Sequence, residues 1–168
     1  MKSNKRYTNT TFTKRVDHDA GRHRSRRAQP EPIVCSLCGA IYRKRRWVAN
    51  EGATLSPRAL GQVTLCPGCK GKNAGVPSGY LEASGAFLGV HHEEIEHLLR
   101  NEATRAAEDN PLAQVIDWID EGQILTLTTT TEHLVQRLGH ALERAFDGKV
   151  RYDFSHENKL ARVSWHRD

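Results

Sequence analysis

The residues of this chain best suited to chemistry are four cysteines. They stand as two pairs, Cys35-Ser36-Leu37-Cys38 and Cys66-Pro67-Gly68-Cys69, with 27 residues between the pairs. A C-x2-C turn presents two sulfurs to one ion, and two such turns complete a tetrahedral S4 shell with bonds of ~2.3 Å. The pattern predicts one structural zinc ion held by Cys35, Cys38, Cys66 and Cys69. Gly39, Gly68 and Gly71 flank the turns, where a residue without Cβ tolerates positive φ and close backbone approach. Two other chemistries fit less well. Thioredoxin-like redox chemistry wants one C-x2-C at a strand-to-helix junction, whereas two pairs stand here and each is read in a hairpin context. Catalytic zinc needs an open coordination position, which four thiolates remove.

The remaining chemistry-bearing residues form no readable site. His91-His92-Glu93-Glu94-Ile95-Glu96-His97 resembles a zinc-protease helix, but H-E-x-x-H needs histidines at i and i+4. His92 and His97 are five apart, about 140° round a helix, so this stretch is read as a solvated face. The zinc-deaminase signature fails because no H-x-E precedes L-C-P-G-C. The phosphate-binding patterns G-x-x-x-x-G-K-[ST] and G-x-G-x-x-G are absent. The expectation is a protein without catalytic residues, without a small-molecule substrate and with zinc as its one cofactor.

Charge supplies the second signal. The net charge of +5 conceals an asymmetry: residues 1–75 hold 16 Lys+Arg against 4 Asp+Glu, and residues 76–168 hold 9 against 16. A basic half of +12 calls for a polyanion partner. The candidate contacts are Arg22, Arg24, Arg26 and Arg27 in the N-terminal segment, Arg43, Lys44, Arg45 and Arg46 between the cysteine pairs, and Arg58, Lys70 and Lys72 around the second pair. Lys and Arg neutralise phosphates, while Tyr42 and Trp47, flanking the RKRR run, are placed to stack on unpaired bases. RNA is preferred over DNA, since no recognition helix or zipper is visible. No apolar run approaches the ~20 residues of a membrane span, and MKSNKRYTNT lacks the apolar core of a secretory signal, so a cytoplasmic, membrane-free protein is expected.

These groups need elements to position them, and the expected class is α+β. Residues 1–32 are too charged and too poor in apolar residues to fold alone and read as a disordered basic tail. Residues 33–79 read as a three-stranded zinc ribbon: Ile33-Val34, Ile41–Val48 and Val63–Leu65 as strands, Ser56–Leu60 as one helical turn, and 71–79 (GKNAGVPSG) as a loop. If Ile41–Val48 is one strand, Arg43 and Arg45 share one face and Lys44 and Arg46 the other. Residues 80–110 read as a linking helix, from the helical recurrence of Phe87, Ile95, Leu98 and Ala106. Residues 111–168 read as a ββαββ sheet domain: strands Val115–Asp120 and Ile124–Thr129, a helix through Leu134, Leu138, Leu142 and Phe146 with Thr129-x-x-Glu132 as capping box, and strands through Tyr152 and Val163. Trp118, Tyr152, Phe154 and Trp165 are expected in the core.

The ordered set C-S-L-C-G-A-I-Y at 35–42, L-C-P-G-C at 65–69, S-G-A-F-L-x-x-H-x-x-E-I at 84–95 and R-N-E at 100–102 resembles a small bacterial zinc-ribbon family. That family is usually grouped with the N-terminal zinc region of the large-ribosomal-subunit nuclear export adaptor (nonsense-mediated-decay-protein-three-like). The resemblance to the bacterial group spans roughly residues 30–168, and that to the adaptor is confined to the cysteines. It implies zinc on Cys35, Cys38, Cys66 and Cys69 and association with the ribosome; the spacer between the pairs is longer than in a tight ribbon. The combined expectation is a non-catalytic zinc-ribbon protein that binds RNA, ribosomal RNA in particular, with ribosomal proteins as further partners. The alternatives are a zinc-stabilised protein-interaction adaptor and a DNA-bound regulator.

Overall fold

In a computed structural model the described residues are 32–50, 62–155 and 159–168. They are mixed α and β, as the sequence led us to expect. Two sheets organise them. The first contains β1 (Ile33–Cys35), β2 (Ile41–Arg43), β3 (Arg46–Val48) and β4 (Gln62–Thr64) in the order β3-β2-β1-β4, with β1 antiparallel to β2 and parallel to β4. Helix α1 (Pro67–Ala74) follows β4. The second sheet contains β5 (Gly79–Ser84), β6 (Val115–Asp120), β7 (Ile124–Thr129), β8 (Lys149–Ser155) and β9 (Leu160–His166) in the order β6-β7-β5-β9-β8. Helices α2 (Ala86–Val90), α3 (His92–Asp109) and α4 (Glu132–Phe146) are the remaining helices among the described residues.

Several boundaries differ from the sequence reading. Among the described residues the ribbon has four strands rather than three, and the expected loop at 71–79 begins inside helix α1. The expected linking helix at 80–110 is no linker. It starts with β5, which lies at the centre of the second sheet, antiparallel to β7 and parallel to β9. Its helix α3 buries Ile95, Leu99 and Ala106 in the same core as the rest. Expected β6, β7, α4, β8 and β9 are all present, but β5 separates β7 from β9. Residues 79–168 therefore share one hydrophobic core. The N-terminal segment, Arg58 and the helical turn at Ser56–Leu60 lie outside the described residues.

That core follows from period-2 and period-3.6 patterning. Leu81 and Ala83 of β5, Leu125 and Leu127 of β7, and Ala161, Val163 and Trp165 of β9 face the helices. Leu134, Val135, Leu138 and Leu142 of α4 close over them. Thr131, not Thr129, caps α4, accepting from the Leu134 amide at 3.3 Å; Thr129 is a buried strand residue instead. Arg137 ties α4 to α3 through Glu102 at 3.1 Å and Asp109 at 2.7 Å. Trp165 is fully buried, and Trp118, Tyr152 and Phe154 pack against the core as expected. The opposite sheet face carries Tyr80, Glu82, Thr126, Arg162 and Ser164 at matched positions, the polar side of a half-covered sheet. No helix of the described residues is long and apolar enough to cross a membrane.

Candidate metal centre and basic hairpin

The first cysteine pair sits on the turn between β1 and β2. Cys35 donates its amide to the Ala40 carbonyl at 2.8 Å, and the Gly39 amide returns to the Cys35 carbonyl at 3.1 Å. The turn closes because Gly39 takes φ of +72°, which a residue without Cβ adopts at little cost. The second pair is positioned differently from the expectation. Cys66 is the N-cap of α1, Pro67 occupies its first turn, and the Cys66 sulfur accepts from the Cys69 amide at 3.3 Å. This pair stands at a strand-to-helix junction, not in a hairpin. The Cys66 sulfur lies at the N-terminus of α1, the positive end of the helix dipole.

The two pairs meet. The four Sγ atoms all lie within 4.8 Å of one another, and Cys38 Sγ is 3.7 Å from Cys66 Sγ. A tetrahedron with ~2.3 Å metal–sulfur bonds has edges of ~3.8 Å, so the separation suits one ion. The thiols are free rather than disulfide-bonded. Cys35, Cys66 and Cys69 are buried and Cys38 is exposed. Among the described residues these cysteines are the one group of three or more Cys, His, Asp or Glu placed to hold a metal. His92 pairs instead with Asp120 at 2.7 Å, and His91 stacks on Phe87 at 4.1 Å. The donor set is all sulfur, so it fits a soft or borderline divalent cation.

Electrostatics around the sulfurs are uneven. Burial works against ionising Cys35, but the backbone amides of Cys38, Cys66 and Leu37 and the Cys38 side chain outweigh it and hold its pKa down at about 6. Burial pushes Cys38 up to about 11, with the Cys35 and Cys69 side chains adding to the rise. Burial pushes Cys66 up as well, reinforced by the charges of Cys38 and Cys35. Uptake of a cation must therefore displace protons from Cys38 and Cys66.

Around the sulfurs Ala40 and three of the cysteines form one small buried cluster, with Trp47, Leu65 and Leu112 packed alongside, and Ile33 and Ile41 of the ribbon are buried as well. Leu112 belongs to the loop before β6. An added Cβ at Gly68 would stand 2.8 Å from the Leu112 Cα, so glycine here admits that loop. Beside it, Gln114 Nε2 lies 3.4 Å from Cys69 Sγ. Sequence reading missed Gln114, and a residue 45 positions from its partner offers no local signal.

Of the expected polyanion contacts, Arg43, Lys44, Arg45 and Arg46 come together, but not along one strand. Arg43 pairs with Arg46 across the β2–β3 hairpin, Tyr42 with Trp47, and Ile41 with Val48. Lys44 and Arg45 form the two-residue turn at φ of 50° and 63°. The alternation of faces along Ile41–Val48 is thus replaced by a reversal, which the cross-strand pairs impose although no Gly or Asn marks it. All four basic side chains are exposed. The Tyr42 and Trp47 rings pack at 5.5 Å, both half-buried, below the tip. Lys70 and Lys72 project from α1. Residues 32–50 and 62–75 contain six Lys or Arg and no Asp or Glu.

No protein-family model, curated protein or solved structure matches this chain.

Proposed function

We propose that this chain is a zinc-stapled RNA-binding protein of the cytoplasm that associates with the ribosome or its RNA and catalyses no reaction. One observation carries the reading: four exposed cations crowd the tip of a hairpin beside the cysteine cluster, and the described residues around them, 32–50 and 62–75, include no Asp or Glu. Their turn is strained. Both central residues hold positive φ, which costs non-glycine residues roughly 1 kcal/mol or more each, and Asn-Gly would fit the same turn better. Keeping Lys44-Arg45 there favours charge over ease of folding. The resemblance to the bacterial zinc-ribbon family supports the same ribosomal assignment. Zinc is the ion that best suits four thiolates in a tetrahedron, and its part is to hold together a unit with too little core of its own.

RNA rather than duplex DNA is favoured because, among the described residues, the basic charge is densest on a hairpin tip rather than on a helix, and Arg-rich tips suit irregular RNA. Competition between a structured RNA and a duplex of equal length separates the two: preference for the duplex favours the DNA-bound regulator. A protein-interaction adaptor is the second reading. Ile119 and Ile124 are exposed on the uncovered face of the second sheet, which offers apolar surface to a protein partner; within the ribosomal reading that partner would be a ribosomal protein. Partners that survive nuclease and high salt in a pull-down favour this reading over RNA binding.

A further inference from the structure

The metal centre is not built from the ribbon alone. Gln114 reaches it from the loop between α3 and β6, and that loop is held with unusual completeness. The Leu112 amide donates to Asn110 Oδ1 at 3.1 Å and the Ala113 amide to the Asn110 carbonyl at 2.9 Å. Thr130 receives the Gln114 amide on its hydroxyl oxygen at 2.9 Å and donates that hydroxyl to the Leu112 carbonyl at 2.6 Å. The Thr130 amide then donates to the Gln114 carbonyl at 2.9 Å. The side chain is fixed as firmly as the backbone. Gln114 Nε2 donates to the Pro111 carbonyl at 2.9 Å. A carbonyl only accepts, so this contact decides which end of the amide is nitrogen. The second N–H of the same nitrogen is left for Cys69 Sγ, 3.4 Å away.

The other buried sulfurs have donors of their own within the ribbon. The Cys66 amide reaches Cys35 Sγ at 3.3 Å, and the Cys69 amide reaches Cys66 Sγ at 3.3 Å. Among the hydrogen bonds described here, Cys69 Sγ receives its N–H from outside the ribbon. Gly68 makes the approach possible, because its missing Cβ leaves room for the Leu112 backbone.

We infer that Gln114 is a positioning residue of the metal centre, an N–H donor to the Cys69 thiolate supplied by the second unit. Metal binding and the docking of the basic ribbon on the five-stranded sheet unit are then one coupled event. An ion on Cys69 Sγ and the Gln114 N–H would meet at the same sulfur, 3.4 Å from Nε2, so the contact positions that ligand and raises affinity for the ion, and the ion in turn strengthens the contact. The orientation of the basic hairpin relative to the second sheet depends on whether the centre is filled. The inference rests on the reading of the four cysteines as a metal site, not on RNA binding.

The test uses the full chain. Zinc affinity is measured by competition with a chromophoric chelator for the wild type, Gln114→Met, which keeps volume without a donor, and Gln114→Glu, which sets a carboxylate beside the thiolate. The wild type should hold one ion. Gln114→Met should weaken binding about 10- to 100-fold, and Gln114→Glu should weaken it further. Cobalt substitution adds a readout that packing alone would leave unmoved: the sulfur-to-cobalt charge-transfer band should shift in Gln114→Met. A measurement on the wild type covers the case of a variant that does not fold. With 113Cd in the site, scalar coupling should appear between the metal and the Gln114 side-chain amide protons across the Cys69 sulfur. Equal zinc affinity and an unmoved band in Gln114→Met overturn the inference alone, as does missing Gln114 coupling when the Cys69 amide shows its own. A wild type that binds no ion overturns the metal reading and this inference with it.

Discussion

Removing the charge of the hairpin tip separates binding from folding. The variant Arg43→Gln, Lys44→Asn, Arg45→Gly, Arg46→Gln deletes four cations and installs the Asn-Gly pair that a turn with two positive φ values prefers. The hairpin should therefore fold at least as well as the wild type, with its Tyr42–Trp47 and Ile41–Val48 pairs untouched. RNA binding should weaken, and its salt dependence gives the magnitude. Each phosphate neutralised contributes about 0.7 to the slope of log affinity against log salt on single strands and about 0.9 on B-form duplexes. The four tip cations with Lys70 and Lys72 set a slope of roughly −4 on single-stranded RNA. Between 50 and 200 mM salt that is a loss of about 300-fold, against about 7-fold for the variant. Charges in the N-terminal segment add equally to both, so the difference of about 3 in slope is the firm quantity. Fluorescence anisotropy with a labelled rRNA fragment measures it, with Arg144→Gln on the second unit as the control that leaves the slope unchanged. A variant slope within one unit of the wild type refutes the assignment of the tip as the phosphate contact.

Other outcomes follow from the same structure. Chelation of the metal should melt residues 33–75 while residues 79–168 keep a cooperative thermal transition, because their buried clusters are separate; a single transition lost in one step contradicts this. Gly139→Ala should destabilise the second unit. Its Cβ would stand 2.6 Å from Val163 Cγ1 in the core, and crowding of ~1–3 kcal/mol outweighs the ~1 kcal/mol gained in helix propensity; a raised urea midpoint would contradict it. Burial first, and then the Glu143 carboxylate, raise the Tyr152 pKa above its ordinary 10.0. Its neutral form, hydrogen-bonded to His140 at 3.0 Å, then contributes stability that is complete below about pH 10 and is lost as pH rises beyond it. Stability against alkaline pH should fall less steeply in Tyr152→Phe than in the wild type, and identical alkaline limbs would show that the phenol titrates as it does unfolded.

What the sequence revealed and what it hid divide along physical lines. The cysteine quartet was legible because metal ligation needs fixed residue types at fixed local spacing. Helix α4 was legible because Leu134, Leu138 and Leu142 repeat at 3.6-residue period and nothing interrupts them. Strand β5 was hidden. Its GYLEAS alternates correctly, but it is framed by Gly79 and Gly85, and what makes it central is pairing with β7 and with β9 at the far end of the chain. Helix α1 was hidden because PGCKGKNA is poor in helix formers; the Cys66 cap and the packing of Gly68 and Cys69 override propensity. The β2–β3 reversal lacked turn residues, since Lys44 and Arg45 occupy positions that normally announce themselves with Gly or Asn. Gln114 could not be found at all, because its role exists only once two units are docked.

The most direct measurement of the central claim is sedimentation of a cell lysate containing the full chain through a sucrose gradient at low salt, with and without nuclease. The account predicts that the protein travels with ribosomal subunits, is released by nuclease or by raised salt, and moves to the top of the gradient when the four hairpin cations are removed. Wild-type protein that stays at the top at low salt and carries no nuclease-sensitive RNA would contradict it.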